Sequence, residues 1–134
     1  MTQQPSFVSE KAALIVELSQ AGIKHNPDKI VRIAKLAGGK IVFLEEGKVG
    51  RRGSGLAHIK EQHHEDFKRR GISEQEIPDA VMAAVTTGLF LGYQGKIEPR
   101  REIYEVSFNA QTHYIAVSVS DNGYIVGANP ASLP

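Results

Sequence analysis

Three of the chain's five histidines, His58, His63 and His64, follow directly on Glu46-Gly47-Lys48-Val49-Gly50-Arg51-Arg52-Gly53-Ser54-Gly55. Imidazole takes and returns a proton near neutrality, and a cationic loop hinged by four glycines is suited to meeting an anion. Three chemistries compete for these residues. Metal binding is disfavoured by spacing, because a zinc pair on a helix wants four residues, whereas 58 to 63 is five and 63 to 64 is one. A structural role suits His63, which falls within an apolar helical stripe, and His64, which projects toward solvent. His58 stands at the start of the predicted helix. Unpaired backbone N–H groups there favour an anion, and Arg51, Arg52 and Lys60 would be its counter-charges.

A second set of candidates lies in the C-terminal half. Arg100 and Arg101 precede a strand over Glu102–Phe108, in which Tyr104, Val106 and Phe108 share one face. In the next strand, His113 to Val119, Ile115, Val117 and Val119 share one face, while Tyr114, Ala116, Ser118 and Ser120 follow the other. A cleft between the His58 helix and this sheet would collect arginine, tyrosine and serine. Each also has an ordinary role: edge protection for the arginines, packing for Tyr104 and solvent exposure for Ser118.

The elements that must position these groups follow from periodicity and punctuation. An amphipathic helix opens at Ser9, runs through Leu14 and Leu18 and stops at Gly22. Asn26-Pro27-Asp28 resembles a helix start. Ile30, Ile33, Ala34 and Ala37 at one-face spacing, closed by Gly38-Gly39, predict a second helix. Lys40 to Glu45 predicts a strand buried on both faces. The loop follows, then a helix with the stripe Leu56, Ile59, His63 and Phe67 ending at Arg69-Arg70-Gly71. Ser73 and Glu76 form a capping-box pattern before a helix through Val81, Ala84 and Val85 that stops at Gly88. Leu89–Tyr93, Glu102–Phe108, His113–Val119 and Tyr124–Ala128 then predict an antiparallel meander, with Asn122-Gly123 as a hairpin turn. The expected fold class is α+β, with N-terminal helices packed on a C-terminal antiparallel sheet.

Composition narrows the chemistry further. A chain of 134 residues supports one core, so residues 1–134 are expected to form a single domain with residues 1–8 as a flexible tail. Without cysteine there is no disulfide, thiolate nucleophile or Cys-ligated metal. Apolar runs such as Ala12 to Val16 are far short of the roughly 20 residues of a membrane span, and the N-terminus lacks the pattern of a signal peptide. Net charge is +1, so an anionic partner must be met by a local patch.

Five blocks, taken in order, resemble a known family. Lys40-Ile41-Val42-Phe43-Leu44-Glu45, Gly55-Leu56-Ala57-His58-Ile59 with His63, Gly92-Tyr93-Gln94-Gly95, Ile103-Tyr104-Glu105-Val106 and Asn122-Gly123-Tyr124-Ile125-Val126-Gly127-Ala128-Asn129-Pro130 resemble the C-terminal toxin domains of contact-dependent inhibition (CdiA-type) and filamentous-haemagglutinin-like proteins. Those domains are similar to the barnase, EndoU, colicin and RelE superfamily of metal-independent ribonucleases, many of which cut tRNA. The likeness spans about residues 27 to 130. It implies a BECR-like fold and an active site of His58, Arg101, Tyr104 and Ser118, the last where relatives usually carry threonine. His63 matches as well, with both a core role and a catalytic role open. The chain departs from its relatives at Glu102, where they often have proline, and from Val49 to Ser54, where they have an alanine-rich loop.

What the resemblance implies is a tRNA-directed endoribonuclease toxin that needs no cofactor or metal. The ribose 2'-hydroxyl would attack, giving a 2',3'-cyclic phosphate and a 5'-hydroxyl, and DNA would be inert. His58 would act as general base or acid and Arg101 as transition-state clamp, with Tyr104 and Ser118 as proton-transfer or hydrogen-bonding partners. Arg51, Arg52, Lys60 and Arg100 would hold flanking phosphates. The implied partners are RNA and a cognate immunity protein. The implied route is delivery from a secreted or cell-surface parent into a target cell's cytoplasm. The alternatives are a non-catalytic RNA-binding module and a small protein-interaction or metal-binding domain.

Overall fold

The computed structural model of the protein describes residues 9–97 and 100–133; the expected tail, residues 1–8, lies outside them. The fold is α+β, with three α-helices and two antiparallel sheets among the described residues. Helix α1 (Glu10–Gln20) begins where Ser9 Oγ accepts the Ala12 N–H at 3.1 Å, and it buries Leu14 and Leu18. It ends at Ala21-Gly22, where the Ile23 N–H turns back to the Leu18 carbonyl. No helix among the described residues is long and apolar enough to cross a membrane.

The predicted second helix is instead a hairpin. Pro27–Lys29 makes a single 3-10 turn, after which β1 (Ile30–Lys35) pairs antiparallel with β2 (Ile41–Glu45). The physical reason lies in β2, whose Val42, Phe43 and Leu44 are buried on both faces and whose backbone therefore needs a partner. The preceding segment, rich in β-branched Ile30, Val31 and Ile33, supplies it. Gly38-Gly39, which would have stopped a helix, lies in the hairpin connection, with Gly39 at φ +96°.

Helix α2 (Gly55–Arg69) and helix α3 (Ile77–Thr87) follow the expected boundaries closely, and the capping box between Ser73 and Glu76 is formed. Ile59, Phe67, Ile77, Ala80 and Val81 are almost fully buried against β2 and the second sheet. That sheet is a meander of β3 (Leu89–Gln94), β4 (Arg101–Phe108), β5 (Gln111–Val119) and β6 (Ile125–Pro130) in sequential order. Period-two alternation sorts its two faces. Tyr104, Val106, Ile115, Val117 and Ala128 turn toward the helices, whereas Ile103 and Ala116, paired across β4 and β5, turn away with Arg101 and Ser118.

The two sheets meet at one point. The Phe43 N–H donates to the Gly123 carbonyl at 2.9 Å, and Phe43 bridges Tyr124 in parallel, joining the β1–β2 hairpin to the start of β6. Gly123, at φ +97°, is pressed so close that a Cβ there would lie 2.0 Å from the Ile41 carbonyl oxygen. Gly95 has a similar φ of +96° but open space around it. Gly123→Ala is therefore expected to destabilise the protein by at least about 2 kcal/mol more than Gly95→Ala, which bears only the backbone strain of about 1 kcal/mol. Denaturant melts of the two variants measure the difference.

Candidate active-site cleft

Arg101 opens β4, and its side chain crosses β5 to reach β6. Its Nη1 donates to Asn129 Oδ1 at 2.6 Å, and Asn129 is held in turn by its own Nδ2, which donates to the Pro130 carbonyl at 2.8 Å. Gly127 makes room for the guanidinium, since a Cβ there would lie 2.6 Å from Nη2. Ser118 Oγ, beside it, donates to the Gly127 carbonyl at 3.3 Å. Arg100, Arg101, Ser118, Val119, Ser120 and Val126 line a cavity of about 400 Å³. Arg32 and Arg69 have carboxylate partners, Asp79 and Asp66, but among the described residues no carboxylate pairs with Arg101. Burial lowers its pKa from the ordinary arginine value, yet a guanidinium begins so high that it keeps its charge at neutral pH. A half-buried cation facing a neutral amide and hydroxyls is a place for an anion.

His58 approaches from α2. Ser54 Oγ and Tyr124 Oη share a hydrogen bond of 2.8 Å at one end of β6, and Arg70 Nη1 donates to the Ala131 carbonyl at 3.2 Å at the other. The helix from Ser54 to Arg70 spans about 24 Å and the strand from Tyr124 to Ala131 about 23 Å, so α2 runs parallel to β6 along its length. His58 then stands about 6 Å along that line and Gly127 about 10 Å. The two groups thus reach neighbouring levels of one strand from opposite faces of the sheet, His58 on the helix side and Arg101 on the outer side, and His58 is not among the residues that line the Arg101 cavity.

The basic loop folds back over His58. Lys48 and Ser54 exchange both backbone hydrogen bonds at 3.0 Å, and the Gly50 N–H donates to Glu61 Oε1 at 2.9 Å. Gly53 is so near that a Cβ would meet His58 Nδ1 at 2.6 Å. That Nδ1 is buried without a hydrogen-bond partner; the Glu61 carboxylate stands 4.0 Å away and the imidazole is 22% exposed. The start of α2 is itself partly satisfied, because the Ala57 N–H donates to the Glu46 carbonyl. Arg51 and Arg52 are exposed at the loop's tip, Lys60 is half-buried on α2, and none of the three lines the Arg101 cavity.

Two expected members are placed elsewhere. Tyr104 lies on the helix-facing side of β4, where its hydroxyl donates to Glu102; burial first and that carboxylate second push its pKa up, so it keeps its proton. His63 lies in the stripe position but is not buried. Its Nδ1–H donates to Asp66 Oδ2 at 2.9 Å, and Asp66 also accepts from Arg69 at 3.2 Å. The His63 hydrogen bond chiefly holds the Asp66 carboxyl below its usual range.

Gly127 and Asn129 position the arginine and were not singled out from the sequence. The signal was present in the register, because Ser118 pairs with Gly127 and Ala116 with Asn129 on the face that carries Arg101. Gly127→Ala is expected to cost little stability, since the atom it meets is the tip of a flexible side chain. It displaces the guanidinium, and the cavity's affinity for a phosphate anion is expected to fall about tenfold in a calorimetric titration, with thermal unfolding nearly unchanged. No known family's model matches the chain, and no curated protein matches it.

Proposed function

We propose that the protein is a metal-independent endoribonuclease of the contact-dependent-inhibition toxin type, directed at tRNA, with its scissile phosphate held by Arg101. The observation that carries this reading is the half-buried Arg101 guanidinium, without a carboxylate partner among the described residues, laid beside Ser118 in an open cavity. The five sequence blocks and the α+β fold support it.

Chemically, the substrate brings its own nucleophile, the ribose 2'-hydroxyl. The protein must hold the phosphate in line, stabilise the added charge of the phosphorane and exchange two protons. Arg101 stabilises the charge, and Ser118 turns its single O–H from the Gly127 carbonyl to a non-bridging oxygen. His58 moves the proton, reaching the phosphate round β6, the last strand of the sheet. Arg51, Arg52, Lys60 and Arg100 meet flanking phosphates. Tyr104 is left out of the step, because its phenol is already spent on the Glu102 carboxylate. The reading carries with it a cognate immunity protein and delivery from a larger surface protein.

A second reading is a non-catalytic RNA-binding module. It is favoured by the withdrawal of Tyr104 from the cavity and the engagement of His63 by Asp66, which remove two proton-transfer groups from the expected set. Incubation of the purified protein with tRNA in excess chelator separates the two. The nuclease yields new 2',3'-cyclic phosphate and 5'-hydroxyl ends and leaves DNA uncut. Arg101→Ala is expected to slow cleavage roughly 30-fold to 1000-fold, the effect of losing one transition-state contact of about 2 to 4 kcal/mol. Bound but intact tRNA establishes the second reading instead.

A further inference from the structure

The β5–β6 turn has a cavity on its far side. Lys24, His25, Asn26, Pro27, Glu45, Asn122 and Tyr124 line a space of about 460 Å³. It adjoins a second of about 280 Å³, with which it shares Asn26, Glu45 and Tyr124 and to which Lys29, Lys48 and Ser54 contribute. None of the implied active-site residues His58, Arg101, Tyr104 and Ser118 lines either space.

Its walls are aromatic and held rigidly. Phe43, fully buried, meets the His25 ring edge-on at 6.5 Å and the Tyr124 ring edge-on at 5.8 Å. His25 is fixed further by its Nδ1–H, which donates to the Ile23 carbonyl at 2.7 Å. Tyr124 is fixed by the hydrogen bond between its hydroxyl and Ser54. The polar groups are of mixed kind. Asn122 Oδ1 accepts from Ser120 Oγ, which leaves its amide hydrogens available as donors. The Asn26 side-chain amide makes no hydrogen bond among the described residues and offers both a donor and an acceptor. Glu45 spends Oε2 on the Asn26 N–H at 2.8 Å, leaving Oε1 as a second acceptor. Lys48 supplies positive charge in the adjoining space, as does Lys29, whose Nζ stands 3.9 Å from the Glu46 carboxylate on the same wall.

Rigid aromatic faces, donors and acceptors together and cations alongside describe the complement of a nucleotide: a planar heterocycle with edge groups, attached to a phosphate. We infer that this cavity takes a nucleobase of the bound RNA, next to the phosphate held by Arg101. The connection is the turn itself, for Ser120 lines the Arg101 cavity while its hydroxyl hydrogen-bonds to Asn122, which lines this one. A strand laid over the turn would place a phosphate on one side and a base on the other. The inference rests on the proposed function and names what selects the substrate.

The test compares two uncleavable probes, a 2'-O-methyl RNA oligonucleotide and the same 2'-O-methyl backbone without bases, by fluorescence polarisation. The wild-type protein binds the base-bearing probe about tenfold more tightly, the effect of stacking one base on an aromatic wall. Asn26→Ala, on an exposed residue, and Tyr124→Ala both shrink that preference while leaving affinity for the abasic probe unchanged; Arg101→Ala weakens both probes alike. Should Tyr124→Ala fail to fold, Asn26→Ala and His25→Ala decide. Equal wild-type affinity for the two probes overturns the pocket, and, if tRNA is still cut, overturns it alone. A preference that survives Asn26→Ala and His25→Ala overturns it as well. Binding of 5'-AMP as tight as that of the oligonucleotide overturns RNA in favour of a free nucleotide. Failure to bind either probe or to cut tRNA removes both the pocket's occupant and the proposed function.

Discussion

Everything that brings chemistry together in this molecule passes through one backbone contact, the hydrogen bond from Phe43 to Gly123. It ties β2, a strand buried on both faces, to the turn between β5 and β6, and it requires a residue without a side chain at the turn. The consequences run in three directions. The hairpin is anchored to the sheet, so the core is closed between them. Tyr124 is set against Phe43, where its hydroxyl meets Ser54 and fixes the start of α2. The turn is also held in the place where it divides the arginine cavity from the aromatic one.

On the outer face of the sheet the governing constraint is electrostatic. A guanidinium taken part of the way out of water loses hydration, and the usual remedy is a carboxylate beside it. Arg101 has an amide and a hydroxyl as neighbours instead, and the strand beneath it is bared by Gly127. Such an arrangement leaves most of the cation's hydrogen-bonding capacity unspent. A doubly charged anion would gain more from it than a singly charged one.

Much of this was legible in the sequence, and the failures have definite causes. The meander was readable because its turn residues are specific: Asn122-Gly123 demanded a tight reversal, and alternation sorted Ser118 from Val117 correctly. Helix α2 was readable from its stripe. Residues 30–37 satisfied helical spacing and strand composition at once, and only the burial of β2 on both faces, a property of the assembled core, decides between them. Tyr104 was misplaced for a different reason. Alternation put it on the face of Val106, and the expectation of a shared cleft with Arg101 ran against that parity. Gly127 and Asn129 carry no chemistry of their own and become visible only when the register lays them under an arginine two strands away. The same holds for the aromatic cavity, whose walls come from the end of α1's connection, β2 and the β5–β6 turn.

The most direct measurement is of the arginine side chains themselves, by nitrogen-detected magnetic resonance during titration with an uncleavable 2'-O-methyl RNA. Engagement of a phosphate by Arg101 shifts and sharpens its guanidinium signals at the lowest RNA concentrations, and Arg101→Ala removes those signals together with the tight binding. Saturation of the protein with RNA while the Arg101 resonances stay in place, the changes falling only on Arg51 and Arg52, would contradict the account.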